Sequence, residues 1–211
     1  MPETDSDCQG WNSKAGDEYF AQQRAVADFG GPEQQLFFFG MMQRIGEALN
    51  KHTGAFTSIL PGDHDNILDL CMAPGGMLLH ALEYNPNARA TAFTLPVQNG
   101  GHAICLSEEV RERVSIRLKD ITLLAADMGV TTIPEGHADH SKFILEKQLD
   151  DEQLFDIILC DGQVLRTHTR AEYRDKCEAR RLLTTQLVLG LEHIEIGGML
   201  VSQSTDHSWR R

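Results

Sequence analysis

Asn66-Ile67-Leu68-Asp69-Leu70-Cys71-Met72-Ala73-Pro74-Gly75-Gly76-Met77 decides the fold. Ile67 to Met72 is a short, mostly apolar run, the pattern of a strand buried on both faces of a parallel sheet. Asp69 interrupts it, and an acid in a buried strand must meet a partner or a ligand, because an unpaired buried charge is costly. Ala73-Pro74-Gly75-Gly76 ends the strand with two glycines that allow a tight turn and close approach to the backbone. Met77 to Leu82 then reads as the first turns of a helix. A strand, a glycine loop and a helix start together form a nucleotide-binding arrangement, with free N–H groups at the helix start turned to the ligand. A βα turn with incidental glycines is the plainer alternative. G-x-G-x-x-G and G-x-x-x-x-G-K-[ST] are both absent, so neither a dinucleotide nor a triphosphate is favoured.

Outward from this loop the chain alternates. Ala88 to Leu95 reads as a second strand ended by Pro96, and Val114 to Asp120 as a third. Phe155 to Asp161 reads as a fourth and Met199 to Gln203 as a fifth, entered through Gly197-Gly198. Leu182 to Ile194 has helical spacing. Strands separated by helical stretches imply parallel βαβ units with right-handed crossovers. Ligands then bind beyond the carboxyl ends of the strands, where Asp120 and Asp161 fall. Upstream, Met1 to about Asn12 reads as frayed and Ser13 to Phe29 as a surface helix broken by Gly30-Gly31-Pro32. Leu36-Phe37-Phe38-Phe39 leads into a second amphipathic helix over Met41 to Leu49. Three adjacent phenylalanines cannot all face one core, so this segment is expected to pack against the main sheet or a partner.

With 211 residues, 41% of them hydrophobic, the chain suffices for one domain with a full core. No apolar run reaches the length of a membrane-spanning helix, so no membrane partner is expected. The acidic, polar start, Met-Pro-Glu-Thr-Asp-Ser-Asp, is no signal peptide. Five scattered cysteines without a C-x-x-C suit a reducing compartment, and the expected location is intracellular, cytoplasmic or nuclear. A formal charge of −12 excludes a protein that grips nucleic acid over its whole surface, but leaves room for a local basic patch. Such a patch is offered by Arg166, Arg170 and Arg174, which share one face at i,i+4 spacing if their segment is helical. They follow Asp161 on the side from which a substrate would come and suit RNA phosphates, although a solvated helix of mixed charge has the same pattern. His137, Asp139 and His140 look like metal ligands, but their spacing matches no closed set. They read as a polar loop, and no metal is expected.

Asp69-Leu70-Cys71-Met72-Ala73-Pro74-Gly75-Gly76 resembles motif I of the FtsJ-like methyltransferases, Asp-Leu-x-x-Ala-Pro-Gly-Gly. The resemblance covers roughly Leu36 to Gln203. It implies a Rossmann-like fold of the α/β class, an open, mostly parallel sheet of strand order 3-2-1-4-5. Helices are added at the N-terminus (1–55) before a core over 56–204, in a single domain 1–211. It implies S-adenosyl-L-methionine as cofactor, held by Asp69, Cys71, Ala73, Pro74, Gly75, Gly76 and Met77. Asp120 would meet the adenine with Ile121 beside it, unless Asp120 only caps the following segment. Thr94 and Leu95 stand where the family's ribose-binding acid would be. The loop Asn99-Gly100-Gly101-His102 either closes over the nucleoside or is a plain surface turn. Phe-Asp-Ile-Ile-Leu-Cys-Asp-Gly matches motif IV and makes Asp161 the catalytic Asp and a further cofactor contact.

The family transfers methyl groups to RNA ribose hydroxyls with a Lys-Asp-Lys-Glu set. In this sequence the central lysine position is Gln203, and the helix before motif I offers only Lys51 near its end for the first lysine. The last glutamate and the sheet's usual final strands do not appear before Arg211. The resemblance therefore implies a methyltransferase for RNA ribose 2′-hydroxyls with a degenerate catalytic set. The alternatives are an inactive module binding S-adenosyl-L-methionine, RNA or protein, and a methyltransferase for a small molecule or protein.

Overall fold

A computed structural model describes residues 14–29, 31–57 and 66–203. The segment Met1 to Asn12, read as frayed, lies outside the described residues. Five strands form one sheet: β1 (Asn66–Asp69), β2 (Arg89–Thr94), β3 (Val114–Leu118), β4 (Phe155–Cys160) and β5 (Ile194–Ser202). Their order is β3-β2-β1-β4-β5 and every pairing is parallel, as expected.

The apolar runs are continuous because both faces are covered. Ile67, Ala90, Ala92, Ile157 and Leu159 turn to one side, where they join Met77, Leu78 and Ala81. Their neighbours Leu68, Phe93, Ile158 and Cys160 turn to the other and join Leu124, Leu149 and Leu189. This alternation is the period of two that a pleated strand imposes.

Helices α1 (Lys14–Phe29) and α2 (Pro32–Thr53) precede the sheet. Pro32 starts α2 at a position where its missing N–H costs nothing, and Gly54 ends it in the left-handed region at φ 69°. One helix therefore runs through the phenylalanine triplet, whose side chains fan out as helical neighbours must. Phe37 is exposed, Phe38 faces the sheet's carboxyl end, and Phe39 packs on the core. Helix α3 (Gly76–Tyr84) follows β1 and lies against α2. The short α4 (Glu108–Arg111) is capped by Ser107, and α5 (Glu178–His193) leads into β5. No helix among the described residues is long and apolar enough to cross a membrane.

Two elements depart from expectation. Helix α5 begins one turn before Leu182, at Glu178. Gly197-Gly198 do not turn the chain into β5 but lie inside it, since pairing already starts at Ile194. Between the pairs Phe155–Ile194 and Ile157–Met199, β4 advances two residues and β5 five. The surplus bulges outward and leaves Ile196 89% exposed. Among the described residues β5 pairs on one side only, with β4.

Candidate active site

The carboxyl ends of the strands open into a cavity of about 280 Å³, near the low end for small-molecule sites. Its floor is the chain from Leu70 to Met77, and Phe38, Met41 and Met42 of α2 form one wall. Thr94, Leu95, Lys119, Asp120 and Ile121 line the β2–β3 end. Asp161 to Leu165, with His168, come from the β4–α5 connection, and Glu178 and Leu182 come from α5. Of the expected cofactor residues, Cys71, Ala73, Pro74, Gly75, Gly76, Met77, Thr94, Leu95, Asp120, Ile121 and Asp161 all line the cavity.

Asp69 is not on the lining. It lies beneath the loop, 1% exposed, and its Oδ1 accepts the Cys71 N–H at 3.0 Å. Gly75 adopts φ 106°, which a side chain resists, and precedes the first turn of α3. At Gly76 a Cβ would stand 2.1 Å from the Phe39 carbonyl oxygen. The approach of α2 by itself requires glycine at this position. The first intrahelical bond of α3 joins the Leu79 N–H to the Gly75 carbonyl. The preceding N–H groups of the first turn are those a helix leaves unpaired.

Asp161, just beyond β4, has its Oδ1 buried without a hydrogen-bond partner among the described residues. Burial pushes its carboxyl up to about 6, against a hydrogen bond from its own backbone. Asp69, on the neighbouring strand, is raised well above the usual carboxylate range, first by burial and then by the charge of Asp161. Burial and the same two acids hold the Cys71 thiol up, and Cys160 is pushed up to about 12 by burial and these acids. Neither thiol is a thiolate at neutral pH.

Asp120 follows β3 and is fully engaged. Its Oδ1 accepts from the Thr122 N–H at 3.0 Å and the Thr122 hydroxyl at 2.7 Å, so it caps the turn Ile121–Leu123. Its Oδ2 lies 3.0 Å from Arg174 Nη2 and 3.3 Å from His168 Nε2. Burial opposes its charge, but the bonds from His168, Thr122 and Arg174 win and hold the carboxyl well below the usual range. The capping alternative thus describes Asp120, and the carboxylate is not left open for an adenine amine.

The three-arginine face does not exist. Residues 166–171 are irregular, Glu172–Arg174 is a single 3₁₀ turn, and α5 starts only at Glu178, so i,i+4 spacing there defines no face. Arg174 is 1% exposed, its Nε donates to Glu178 Oε2 at 2.8 Å, and its Nη2 donates to Thr122 Oγ1 at 2.7 Å. Arg170 donates to Asp175 at 2.7 Å and to the Leu165 carbonyl at 2.9 Å. Arg166 is exposed, but it does not line the cavity. Lys51, the candidate first lysine, is exposed in the last turn of α2, more than two turns from Met42, and is also absent from the lining. Gln203 continues β5 with its N–H on the Cys160 carbonyl at 3.3 Å and does not line the cavity either.

Sequence reasoning missed His168, Glu178 and Lys119. No local pattern marks the first two, which reach the site through an irregular connection. Phe38, Met41 and Met42 carried a signal, the i, i+3, i+4 spacing of one helix face. One ligand atom each from Asp120, His168 and Glu178 would fall within 4.8 Å of one another, as in a metal site, but the cation between the two acids is Arg174. Asp139, part of the other metal-like group, accepts from the Tyr173 hydroxyl at 2.7 Å and from Lys142 at 3.0 Å.

A model of the FtsJ-like methyltransferase family matches residues 45–208. The chain belongs to the FtsJ-like methyltransferase family. The ribosomal RNA small subunit methyltransferase B of Escherichia coli (strain K12) is 30% identical over 157 residues, 70% of the FtsJ-like chain and 32% of that protein. The corresponding protein of Shigella sonnei (strain Ss046) matches to the same extent. The chain thus spans about a third of the length of these relatives (32%). Among solved structures, an O-methyltransferase family protein from Burkholderia thailandensis has a TM-score of 0.42 at 16% identity, over 85% of this chain and 42% of that one. CalO1, a methyltransferase in calicheamicin biosynthesis in its SAH-bound form, has 0.39 at 16% identity, over 98% and 49%.

The residues of the FtsJ-like cleft fit the family's cofactor, S-adenosylmethionine, on two observations. Among the described residues the Asp161 Oδ1 is a buried acceptor with no partner, which a donor on a bound molecule would satisfy. The first-turn N–H groups of α3 are the natural seat of a carboxylate. Apolar Phe38, Met41, Met42 and Leu182 provide surface for a base.

Proposed function

We propose that this chain binds S-adenosylmethionine in the cleft and transfers its methyl group to a ribose 2′-hydroxyl of RNA. The observation that carries this reading is the buried, partnerless Asp161 Oδ1 facing the same cavity as the glycine loop. When bound, the cofactor supplies a methyl group on a positively charged sulfur, ready for displacement. The helix α3 N–H groups seat a carboxylate. Asp161 orients the incoming hydroxyl and accepts its proton, a task suited to a carboxyl raised to about 6, which is mostly ionised at neutral pH. Phe38, Met41 and Met42 keep water from the reacting atoms. The RNA acceptor is supported by the rRNA methyltransferases among the relatives and implies an intracellular location. With a formal charge of −12, the grip on RNA is local rather than spread over the surface. The fold is proposed to be a single domain, with the helices before residue 56 as an extension of the core.

A second reading, cofactor binding without ribose chemistry, is favoured by the lysines. Gln203 stands at the central position, Lys51 is exposed away from the cavity, and among the described residues the only lysine on its lining is Lys119. Lys119 follows β3, three strand spacings from β4, roughly 14 Å. A positioned proton acceptor is worth about 10²–10⁴-fold in rate, so turnover is expected to be slow by that order. The test is methyl transfer from labelled cofactor to RNA, alongside calorimetry with S-adenosylhomocysteine. Turnover in the parent that disappears in Asp161→Ala supports the first reading. Binding without turnover supports the second, and turnover that survives Asp161→Ala rejects this placement of the active site.

A further inference from the structure

Lys119 lines the cavity one residue before Asp120, and its N–H bonds to the Thr94 carbonyl at 2.9 Å. The bond holds it beside the end of β2. Among the described residues no ion pair or side-chain hydrogen bond engages its ammonium group. The neighbouring acid does not claim it, because Asp120 is already matched by Arg174, His168 and Thr122. β2 runs out in Thr94-Leu95-Pro96, so no carboxylate stands at its end. Of the other basic side chains here, His168 lies against Asp120 and His102 is pushed toward its neutral form by burial.

This combination has a definite chemistry. In nucleotide-binding α/β sheets an acid at the end of the second strand accepts from the ribose hydroxyls and repels a phosphate there, whereas a cation accommodates one. The ammonium of a half-buried lysine without a partner among the described residues gains most from an anionic oxygen, because charge-assisted bonds are the strong ones. The buried Thr94 adds a hydroxyl at the same end. Of the raised acids, Asp69 is on β1, beside β2 but buried beneath the loop, and Asp161 lies just beyond β4.

We propose that Lys119 makes the β2–β3 end of the cleft a phosphate-accepting subsite, for a nucleoside that carries a phosphate on a ribose hydroxyl. The inference rests on the nucleoside-binding reading of the cleft given above.

The test is calorimetry on the intact chain with adenosine, adenosine 2′-monophosphate, adenosine 3′-monophosphate and S-adenosylhomocysteine. At least one monophosphate is expected to bind about tenfold or more tightly than adenosine, the effect of one hydrogen bond to a charged group. The preference should shrink as salt is raised. Lys119→Met should abolish it and leave adenosine affinity within about twofold, while Lys119→Arg should keep it. Should Lys119→Met not fold, the parent, the salt series and Lys119→Glu, which should reverse the preference, carry the test. Equal affinity for adenosine and both monophosphates in the parent overturns the proposal, as does a preference that persists in Lys119→Met. If S-adenosylhomocysteine binds but the monophosphates show no gain, only this inference fails. If no nucleoside binds, the cofactor reading fails with it.

Discussion

Arg174 Nη2 lies 3.0 Å from Asp120 Oδ2, which joins the middle of the β4–α5 connection to the end of β3. Asp120 and Arg174 are 54 residues apart in sequence, and Glu178 completes the arrangement from the first turn of α5. A guanidinium this buried is held by two carboxylates and a hydroxyl, and each acid in turn depends on it for compensation.

Removing that cation leaves two largely buried acids facing each other at the edge of the cavity. Arg174→Met is expected to destabilise the fold by about 3–5 kcal/mol, the cost of breaking a buried pair from one side. Urea unfolding measures it. A loss below about 1 kcal/mol would mean that water reaches the pair freely.

Acid exposes the same network. The folded-state carboxyl of Asp120 lies below its unfolded value, so the unfolded chain binds more protons and the contribution is present above about pH 4 and lost as pH falls further. Asp161 has the opposite sign. Its carboxyl is raised to about 6, so the folded chain holds the proton more tightly and stability falls as pH rises from about 4 through 6. Between pH 7 and 5 the parent should therefore gain stability on acidification relative to Asp161→Asn. Parallel urea midpoints for the two proteins across this range would contradict the burial of Asp161.

Gly76→Ala tests the approach of α2 to α3. A methyl group there would stand 2.1 Å from the Phe39 carbonyl oxygen, which belongs to backbone and cannot swing aside. The expected loss is about 3 kcal/mol, at the upper end for overpacking. Thermal melting checks it, and a melting temperature equal to the parent's would show that α2 is free to shift.

Lys51→Ala should leave both cofactor affinity and methyl transfer within about twofold, the range of an exposed substitution away from a site. The side chain is exposed at the far end of α2 from Phe38 and Met42. A hundredfold drop in turnover with unchanged affinity would return Lys51 to the catalytic set.

How much of this was legible in the sequence depended on where periodicity holds. The five strands follow from apolar runs such as Ile157–Cys160 bounded by turn residues, whereas their order was implied by the resemblance to the FtsJ-like family. Asp161 followed from its place at the end of such a run. Arg174 could not be placed in the same way. Its spacing from Arg166 and Arg170 suggested an exposed helical face, but the segment is not a helix, and burial there is decided by Asp120 from a distant strand. Asp120 stayed open between an adenine contact and a cap for the mirror-image reason. A strand-end acid looks open until its partner is known. The bulge at Ile196 was also hidden, since two glycines signal a turn as readily as an interruption within a strand.

The connection carrying Arg174 also ties itself to the loop after β2. The Thr167 hydroxyl donates to the Gly100 carbonyl at 2.8 Å, and the Thr169 N–H donates to the Asn99 carbonyl at 3.1 Å. Gly101, His102 and His168, next to these ties, touch the cavity. A molecule in the cavity would lie beside a tie made by two segments remote in sequence. Residence time is then coupled to how often those two bonds open together. Deuterium uptake at the Thr169 amide becomes a gauge of occupancy, slowing in proportion to the fraction of chains that hold a ligand.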